Sequence, residues 1–267
     1  MIGSFLNVVV HRLPQMLERG WKEESADLLG VALAPDVHAA PRLTLSSPAS
    51  RCPSCGHKIR WTENIPVVSW LALKGRCSSC GTRIAARYPL VEIATGALFA
   101  AVGWRFGATP VALAWCGFVA VLVAAAAIDW DTTLLPDDLT LPLLWAGLVA
   151  AALGWTLPLA DAVWGAVAGY LSLWGVYWLF KLTTGKEGMG YGDFKLLAAL
   201  GAWLGASMVL PVLLAASVIG AVVGIAMKLS ASLREGRFVP FGPFLAGAGL
   251  AVMLLGRPRV LGFLGWA

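Results

Sequence analysis

Two aspartates and four cysteines in this sequence have types and spacings that could do chemistry. Asp129 lies in "AIDWDTTLLPDD" and Asp193 in "GMGYGDFK", each at the end of a long apolar run. The four cysteines form two C-x2-C pairs. Charges beside apolar spans are energetically unfavourable and indicate function, whereas paired thiolates are typical zinc ligands. The sequence therefore predicts a carboxylate site and a separate metal site.

Asp129 and Asp193 could act as a pair in general acid/base catalysis. Two carboxylates that share a site do not both ionise easily, so one keeps a proton near neutral pH. The ionised carboxylate can take a proton from water, and the protonated one can give a proton to a carbonyl oxygen, which together hydrolyse a peptide bond. Gly190 and Gly192 would form an active-site loop that lets a substrate strand approach Asp193 closely.

Other aspartates leave the partner of Asp193 open at this point. Asp131 competes with Asp129, and spacing alone does not decide between them. Asp137 and Asp138 fit better as N-caps of a helix that starts near residue 139. Aspartates at loop ends can also simply face water. A nucleotide-binding loop at "GMGYG" is excluded because no strand precedes it.

The cysteines predict a structural zinc site. Cys52 and Cys55 are separated from Cys77 and Cys80 by 21 residues, one residue more than the usual gap between such pairs. Four thiolates make the closed tetrahedral site that zinc prefers and leave no position for catalysis. The alternative is four buried or redox-active thiols. Cys116 lies alone in an apolar run, where we expect it to serve packing.

The composition predicts an all-α polytopic membrane protein. Of the 267 residues, 58% are hydrophobic and 13% are charged, which is too apolar for an ordinary soluble domain. Helices satisfy their own backbone polar groups in lipid. We expect seven full spans after residues 1–10, which we interpret as the remnant of a truncated first transmembrane helix. The spans are predicted at 89–106, 110–129, 139–157, 160–181, 194–205, 208–228 and 239–256.

Residues 11–87 are the long polar region, and we expect a small cytoplasmic zinc-ribbon-like domain there, loop-rich from about residue 15 to 50. This region has 11 Lys/Arg and 6 Asp/Glu, which accounts for the net charge of +5. The positive-inside rule puts such a region in the cytoplasm. The sequence has no basic helix of the kind that would indicate nucleic-acid binding. Residues 88–267 then form a transmembrane domain, whose loops at 129–138, 182–193 and 229–238 share the cytoplasmic side.

Several motifs occur in an order that resembles one enzyme family. They are "GSFLNVVVHRLP", the two C-x2-C pairs, "RYPLVEIATG", "IDWDTTLLPD", "GMGYGDFKLL" and "VPFGPFLAGAG". Over almost its whole length the chain resembles bacterial type IV prepilin leader peptidases, which are GxGD-type membrane aspartic proteases.

The resemblance implies a bifunctional enzyme of the bacterial inner membrane. Such enzymes cleave the basic leader of type IV prepilins and type II secretion pseudopilins at the cytoplasmic face. They then N-methylate the new N-terminal residue with S-adenosylmethionine. The resemblance selects Asp129, not Asp131, as the partner of Asp193. It also links Cys52, Cys55, Cys77 and Cys80 to the methyltransferase activity, but it gives no position for the methyl-donor site.

Two other functions are open to a chain with these features. A transporter or proton-coupled channel would use intramembrane carboxylates as a relay, but it predicts inverted repeats, and none is visible. A non-catalytic membrane anchor with a zinc ribbon would explain the cysteines and would leave the GxGD string unexplained.

Overall fold

The structure is a computed structural model that describes residues 1–31, 42–230 and 239–266. The described residues form helices and no strand, with only two isolated β-bridges, Arg51 to Lys58 and Arg76 to Arg83. The predicted all-α class is therefore confirmed for the described part of the chain. The chain divides into two compact units, Met1–Leu98 and Phe99–Ala267.

The first unit contains α1 (Ile2–Leu29), the short α2 (Val68–Ala72) and the beginning of α3 (Arg87–Phe106). The prediction of loops from about residue 15 is wrong for residues 15–29, because α1 runs through them without a break. Helix α1 ends at Gly30, which has a φ of 63° and whose N–H binds the last turn, as in many helix C-termini. The rest of that prediction falls partly on residues 32–41, outside the described residues.

The second unit contains the remainder of α3 and seven further helices. The helices are α4 (Pro110–Thr132), α5 (Asp137–Ala152), α6 (Leu159–Thr184), α7 (Tyr191–Leu204), α8 (Ala206–Leu229), α9 (Gly242–Leu255) and α10 (Arg257–Leu264). The first six of these seven helices, α4 to α9, lie within a few residues of predicted spans, whereas no span was predicted for the last, α10.

Three of the described helices, α4, α6 and α8, are long and apolar enough to cross a membrane. A fourth crossing is possible if α9 and α10, which are bent by 105° at their junction, count as one broken span. Helices α5, α7 and α9 have 16, 14 and 14 residues, fewer than the roughly 20 that a span usually needs. Seven full spans are not confirmed.

Helix α7 is the core of the second unit. From Phe194 to Leu204 every residue except Lys195 is buried, because α5, α6, α8 and α9 all pack against it. Gly165 and Gly169 of α6 lie directly against the backbone of α7, so that a Cβ atom at either position would overlap it. Small residues permit such close helix crossings. The crossing fixes the position of α7 along α6.

Trp203 fixes the other end of α7. Its indole Nε1–H donates to the carbonyl oxygen of Leu143 in α5 at 2.8 Å. Gly147 leaves room for the indole, since a Cβ there would lie 2.6 Å from Trp203 Cδ1. The ring also contacts Trp115 and Phe118 of α4, with centroid distances of 5.0 and 5.1 Å. The far end of helix α7, which begins near Asp193, is thus held against both α4 and α5.

Candidate active site and metal site

Asp129 lies in the last turn of α4, and its side chain is buried with 5% of its surface exposed. Its Oδ2 accepts a hydrogen bond of 2.9 Å from the N–H of Gly242. Gly242 is the first residue of α9, so its N–H has no partner within its own helix. The positive end of the helix dipole also favours a carboxylate there. A Cβ on Gly242 would lie 2.6 Å from Asp129 Oδ2, so the contact requires glycine.

Asp193 lies in the first turn of α7 and is also buried, with 7% exposed. Its Oδ1 has no hydrogen-bond partner among the residues that the structure describes. That oxygen is therefore buried with its hydrogen-bonding capacity unused by the described residues. Gly190 precedes the helix as its N-cap, and a Cβ there would approach nothing closer than the N atom of Gly192 at 4.0 Å. The space beside Gly190 is therefore open.

Leu135 lies between Gly192, which precedes Asp193, and Gly242, which binds Asp129. A Cβ on Gly192 would lie 2.6 Å from Leu135 Cβ, and a Cβ on Gly242 would lie 3.0 Å from Leu135 Cδ1. One side chain thus contacts both the glycine before Asp193 and the glycine that binds Asp129. The two carboxylates are also close enough for the charge of one to act on the other. The structure brings the predicted pair together although they lie 64 positions apart in the sequence.

The other aspartates lie in different surroundings. Asp131 is only partly buried. Asp137 and Asp138 occupy the first turn of α5, whose N-cap is Pro136, so the interpretation of these aspartates as N-caps is wrong. Helix α5 starts earlier than expected because proline takes the cap position. Asp137 instead forms an ion pair of 2.7 Å with Lys195 of α7.

The loop before Asp193 is bound to α6 by a small polar cluster. Lys181 forms an ion pair of 2.8 Å with Glu187 and donates to the hydroxyl of Tyr177 at 3.1 Å. The hydrogen bond from Lys181 lowers the pKa of Glu187. The buried ring of Tyr177 contacts Tyr191 and Phe194, with centroid distances of 5.3 and 5.6 Å. The residues on both sides of Asp193 therefore pack against one tyrosine.

The four predicted metal ligands come together in the first unit. Their sulfur atoms all lie within 4.8 Å of one another, and Cys52 Sγ is 3.8 Å from Cys80 Sγ. Four Zn–S bonds of about 2.3 Å in a tetrahedron give sulfur separations of about 3.8 Å. The hydroxyl and the backbone amide of Thr82, both hydrogen-bonded with Cys80 Sγ, lower the pKa of Cys80 to about 6, which favours the metal-binding thiolate. The donor set fits a zinc ion.

Both cysteine pairs form the same backbone turn. The N–H of Gly56 donates to the carbonyl oxygen of Cys52 at 2.9 Å, and the N–H of Gly81 donates to that of Cys77 at 3.0 Å. Both glycines have a φ of 69°, in the left-handed region that favours glycine. Each turn presents two thiols to a common point, as the C-x2-C spacing predicts.

Sequence reasoning missed Gly242 and Leu135 as parts of the candidate active site. Gly242 contributes a backbone N–H, which side-chain chemistry does not reveal. The available signal was its position before Pro243 at the start of an apolar run, since proline is favoured in the first turn of a helix. Leu135 contributes shape alone, and no sequence signal marks it.

Comparison with known proteins gives two family matches. Residues 1–106 match the bacterial peptidase A24 N-terminal domain, and residues 116–225 match the type IV leader peptidase family. No solved structure matches the chain.

Three similar proteins are each named prepilin leader peptidase/N-methyltransferase. The protein from Stutzerimonas stutzeri is 51% identical over 268 residues, which cover 100% of this chain and 91% of the relative. The one from Pseudomonas putida is 54% identical and covers 96% of this chain and 88% of the relative. The one from Burkholderia pseudomallei (strain 1026b) is 53% identical, with 98% and 84% covered.

Proposed function

Because this chain belongs to the type IV leader peptidase family, we propose that Asp129 and Asp193 are the catalytic pair with which it cleaves its substrates. The chain is an enzyme that removes the leader peptide of prepilins and N-methylates the new N-terminus. One observation supports the choice of these two aspartates above all. Both carboxylates are buried, and Leu135 lies against the glycine that precedes Asp193 as well as the glycine that binds Asp129.

Asp129 is the better candidate for the general base. The Gly242 N–H and the N-terminus of α9 stabilise a negative charge on its carboxylate. As the ionised member of the pair, Asp129 takes a proton from a water molecule while the water oxygen attacks the carbonyl carbon of the scissile peptide bond.

Asp193 is the better candidate for the general acid. A buried carboxyl next to a second carboxylate favours its neutral form, and Asp193 Oδ1 has no partner in the described part of the chain. Its proton passes to the carbonyl oxygen as the tetrahedral intermediate forms. When the C–N bond breaks, the proton held by Asp129 passes to the leaving amine, and the carbonyl oxygen returns its proton to Asp193. Both groups are then ready for another cycle.

Helices α3, α5, α7 and α9 complete a bundle of seven spans with α4, α6 and α8 in this proposal. The short α7 is sheathed by its neighbours, so it does not need to match the full lipid thickness by itself. Lys181, Lys186, Lys195 and Lys228 lie at or just beyond the helix ends on the side of Asp193. The positive-inside rule assigns that side to the cytoplasm of the inner membrane. Residues 11–87 are assigned to the same compartment by their own charge.

The methylation step uses S-adenosylmethionine in this proposal. The free amine created by cleavage accepts the methyl group and loses a proton, and the donor sulfonium becomes a thioether. Cys52, Cys55, Cys77 and Cys80 would hold a structural zinc ion that orders the first unit, since four protein sulfurs leave no open coordination position. The substrates proposed here are type IV prepilins and the pseudopilins of type II secretion.

The test is cleavage of a synthetic prepilin by purified protein in detergent, with mass spectrometry of the products. We expect Asp129→Asn and Asp193→Asn to accumulate normally and to abolish cleavage, because each removes one acid/base group. Asp193→Asn should still methylate a pre-cleaved peptide. Asp131→Asn is the matched control and should cleave as the wild type does. Cleavage by either Asn variant of the proposed pair would refute the assignment, and loss in Asp131→Asn alone would transfer the role to that residue.

A further inference from the structure

The ion pair between Asp137 and Lys195 joins the two parts of the chain that carry the aspartates. Lys195 Nζ lies 2.7 Å from both carboxylate oxygens of Asp137. Asp137 follows the segment that leaves Asp129, and Lys195 lies just after Asp193 in α7. Lys195 is also the one residue between Phe194 and Leu204 that is not buried. The proposed acid/base chemistry uses neither side chain.

The segment from Thr133 to Asp137, together with the ion pair, connects the end of α4 to the start of α7. Helix α4 ends at Thr132, and the φ of 56° at its C-cap, Thr133, turns the chain away from the helix axis. The chain then passes Leu135, which fills the space between Gly192 and Gly242, and reaches Asp137. From Asp137 the ion pair with Lys195 reaches α7. The ion pair therefore connects the segment that carries Leu135 to the start of α7, where Leu135 also lies against Gly192.

We propose that Asp137 and Lys195 are positioning residues, which set the separation of Asp129 and Asp193 by clamping the 133–136 segment to the start of α7. This inference rests on the proposed function of the two aspartates and adds the device that holds them at working distance.

The solvent exposure of the Asp137 and Lys195 side chains distinguishes an effect on catalysis from an effect on the stability of the fold. The side chains of Lys195 and Asp137 are 27% and 54% exposed, and ion pairs so open to water contribute little to overall stability. Reacting groups are far more sensitive to placement, since a misplacement of about 1 Å can lower a rate about 100-fold. Loss of the pair should therefore reduce the rate of cleavage while the protein stays folded.

The test compares Asp137→Asn, Lys195→Gln and the charge-exchanged double variant Asp137→Lys/Lys195→Asp. We expect each single variant to lower kcat for cleavage about 2- to 5-fold, the effect in rate of losing an exposed ion pair, with KM, melting temperature and methylation of a pre-cleaved peptide unchanged. The exchanged variant should recover a large part of the lost kcat, because the pair is restored in reverse. Recovery will be incomplete because a lysine at a helix N-terminus is unfavourable. Asp138→Asn removes the same charge from the same turn of α5 and should cleave at the wild-type rate.

Three outcomes would overturn the proposal. They are wild-type kcat in both single variants, an exchanged variant no better than the worse single variant, and an effect confined to KM, which would mean that the side chains bind substrate. Wild type and Asp193→Asn are measured in the same assay. If the wild type cleaves and only the clamp variants behave unexpectedly, the clamp is wrong and the function stands. If the wild type does not cleave, the proposed function itself has failed.

Discussion

Gly242 contributes its backbone N–H to the candidate site. Every residue but proline has this group, but the position of Gly242 leaves no room for a side chain. Its N–H binds Asp129 Oδ2 at 2.9 Å, and the space where a Cβ would be is filled by that same oxygen atom. Substitution therefore displaces the carboxylate and so breaks its hydrogen bond to the N–H, although the N–H itself remains.

We expect Gly242→Ala to lower the rate of cleavage about 10- to 100-fold, since a hydrogen bond to a charged group contributes about 1.5–3 kcal/mol and each 1.36 kcal/mol is tenfold in rate. Methylation of a pre-cleaved peptide should be unaffected. Gly247→Ala is the control in the same helix, because a Cβ there meets nothing within 4 Å. Kinetic assays with both variants check the prediction, and equal losses would contradict it.

The identity of the aspartates and cysteines could be predicted from the sequence, whereas their supporting residues could not. Asp193 and the cysteines stand in short motifs whose chemistry is readable from residue type. Asp129 could be preferred over Asp131 only by resemblance, since burial, which separates the two, is a tertiary property. Leu135 is important because it contacts Gly192 and Gly242. Such contacts between distant segments cannot be predicted from the local sequence.

Helices α6 and α7 pack closely because glycines at their crossing leave no side chain between the two backbones. Gly165 and Gly169 are one turn apart on α6 and lie against the backbone of α7 at Gly201 and Leu197. Because Asp193 begins the same helix, any displacement of α7 from α6 also displaces the candidate active site.

Gly169→Ala should therefore destabilise the protein by about 1–3 kcal/mol, the usual effect of overpacking a close contact, and it should lower cleavage in parallel. Gly175→Ala, also in α6, is the matched control because its Cβ would meet nothing within 4 Å. Thermal unfolding in detergent compares the two variants. A Gly169→Ala protein as stable as Gly175→Ala would show that α7 can shift without loss.

Helix positions were predictable where apolar runs are long, and helix ends were not. From α4 onward the runs are interrupted by Gly, Pro and charged residues, which mark the breaks. Residues 15–29 were expected to be loops because they are polar, but polar helix formers also make helices. Arg19 and Glu23, for example, form an ion pair of 2.8 Å one turn apart in α1, which supports a helix exposed to water.

The division into two compact units predicts that metal loss acts on one of them. The four candidate metal ligands belong to the first unit, and the two aspartates belong to the second. In small zinc sites the binding energy of the metal is folding energy, and the short helix α2 lies between the two cysteine pairs.

We expect Cys52→Ser to lower bound zinc from about one ion per chain to nearly none and to expose residues 42–86 to limited proteolysis. Methylation should be lost, and cleavage of a prepilin should persist. Cys116→Ser removes the cysteine outside the cluster and should keep both the metal and the methylation activity. Metal analysis by mass spectrometry and assays of both activities test this, and loss of cleavage together with the metal would argue against independent units.

The contact between Tyr177 and Tyr191 determines how deep Asp193 lies. It puts the start of α7 level with Tyr177, while α6 continues to Thr184, about two turns or 10 Å further. Along α6, Asp193 thus lies about 10 Å short of the end of that helix. An extended chain advances about 3.3 Å per residue, so about three extended substrate residues span this distance. A prepilin whose residues beside the scissile bond stay helical should therefore be cleaved slowly, because the bond stops short of Asp193.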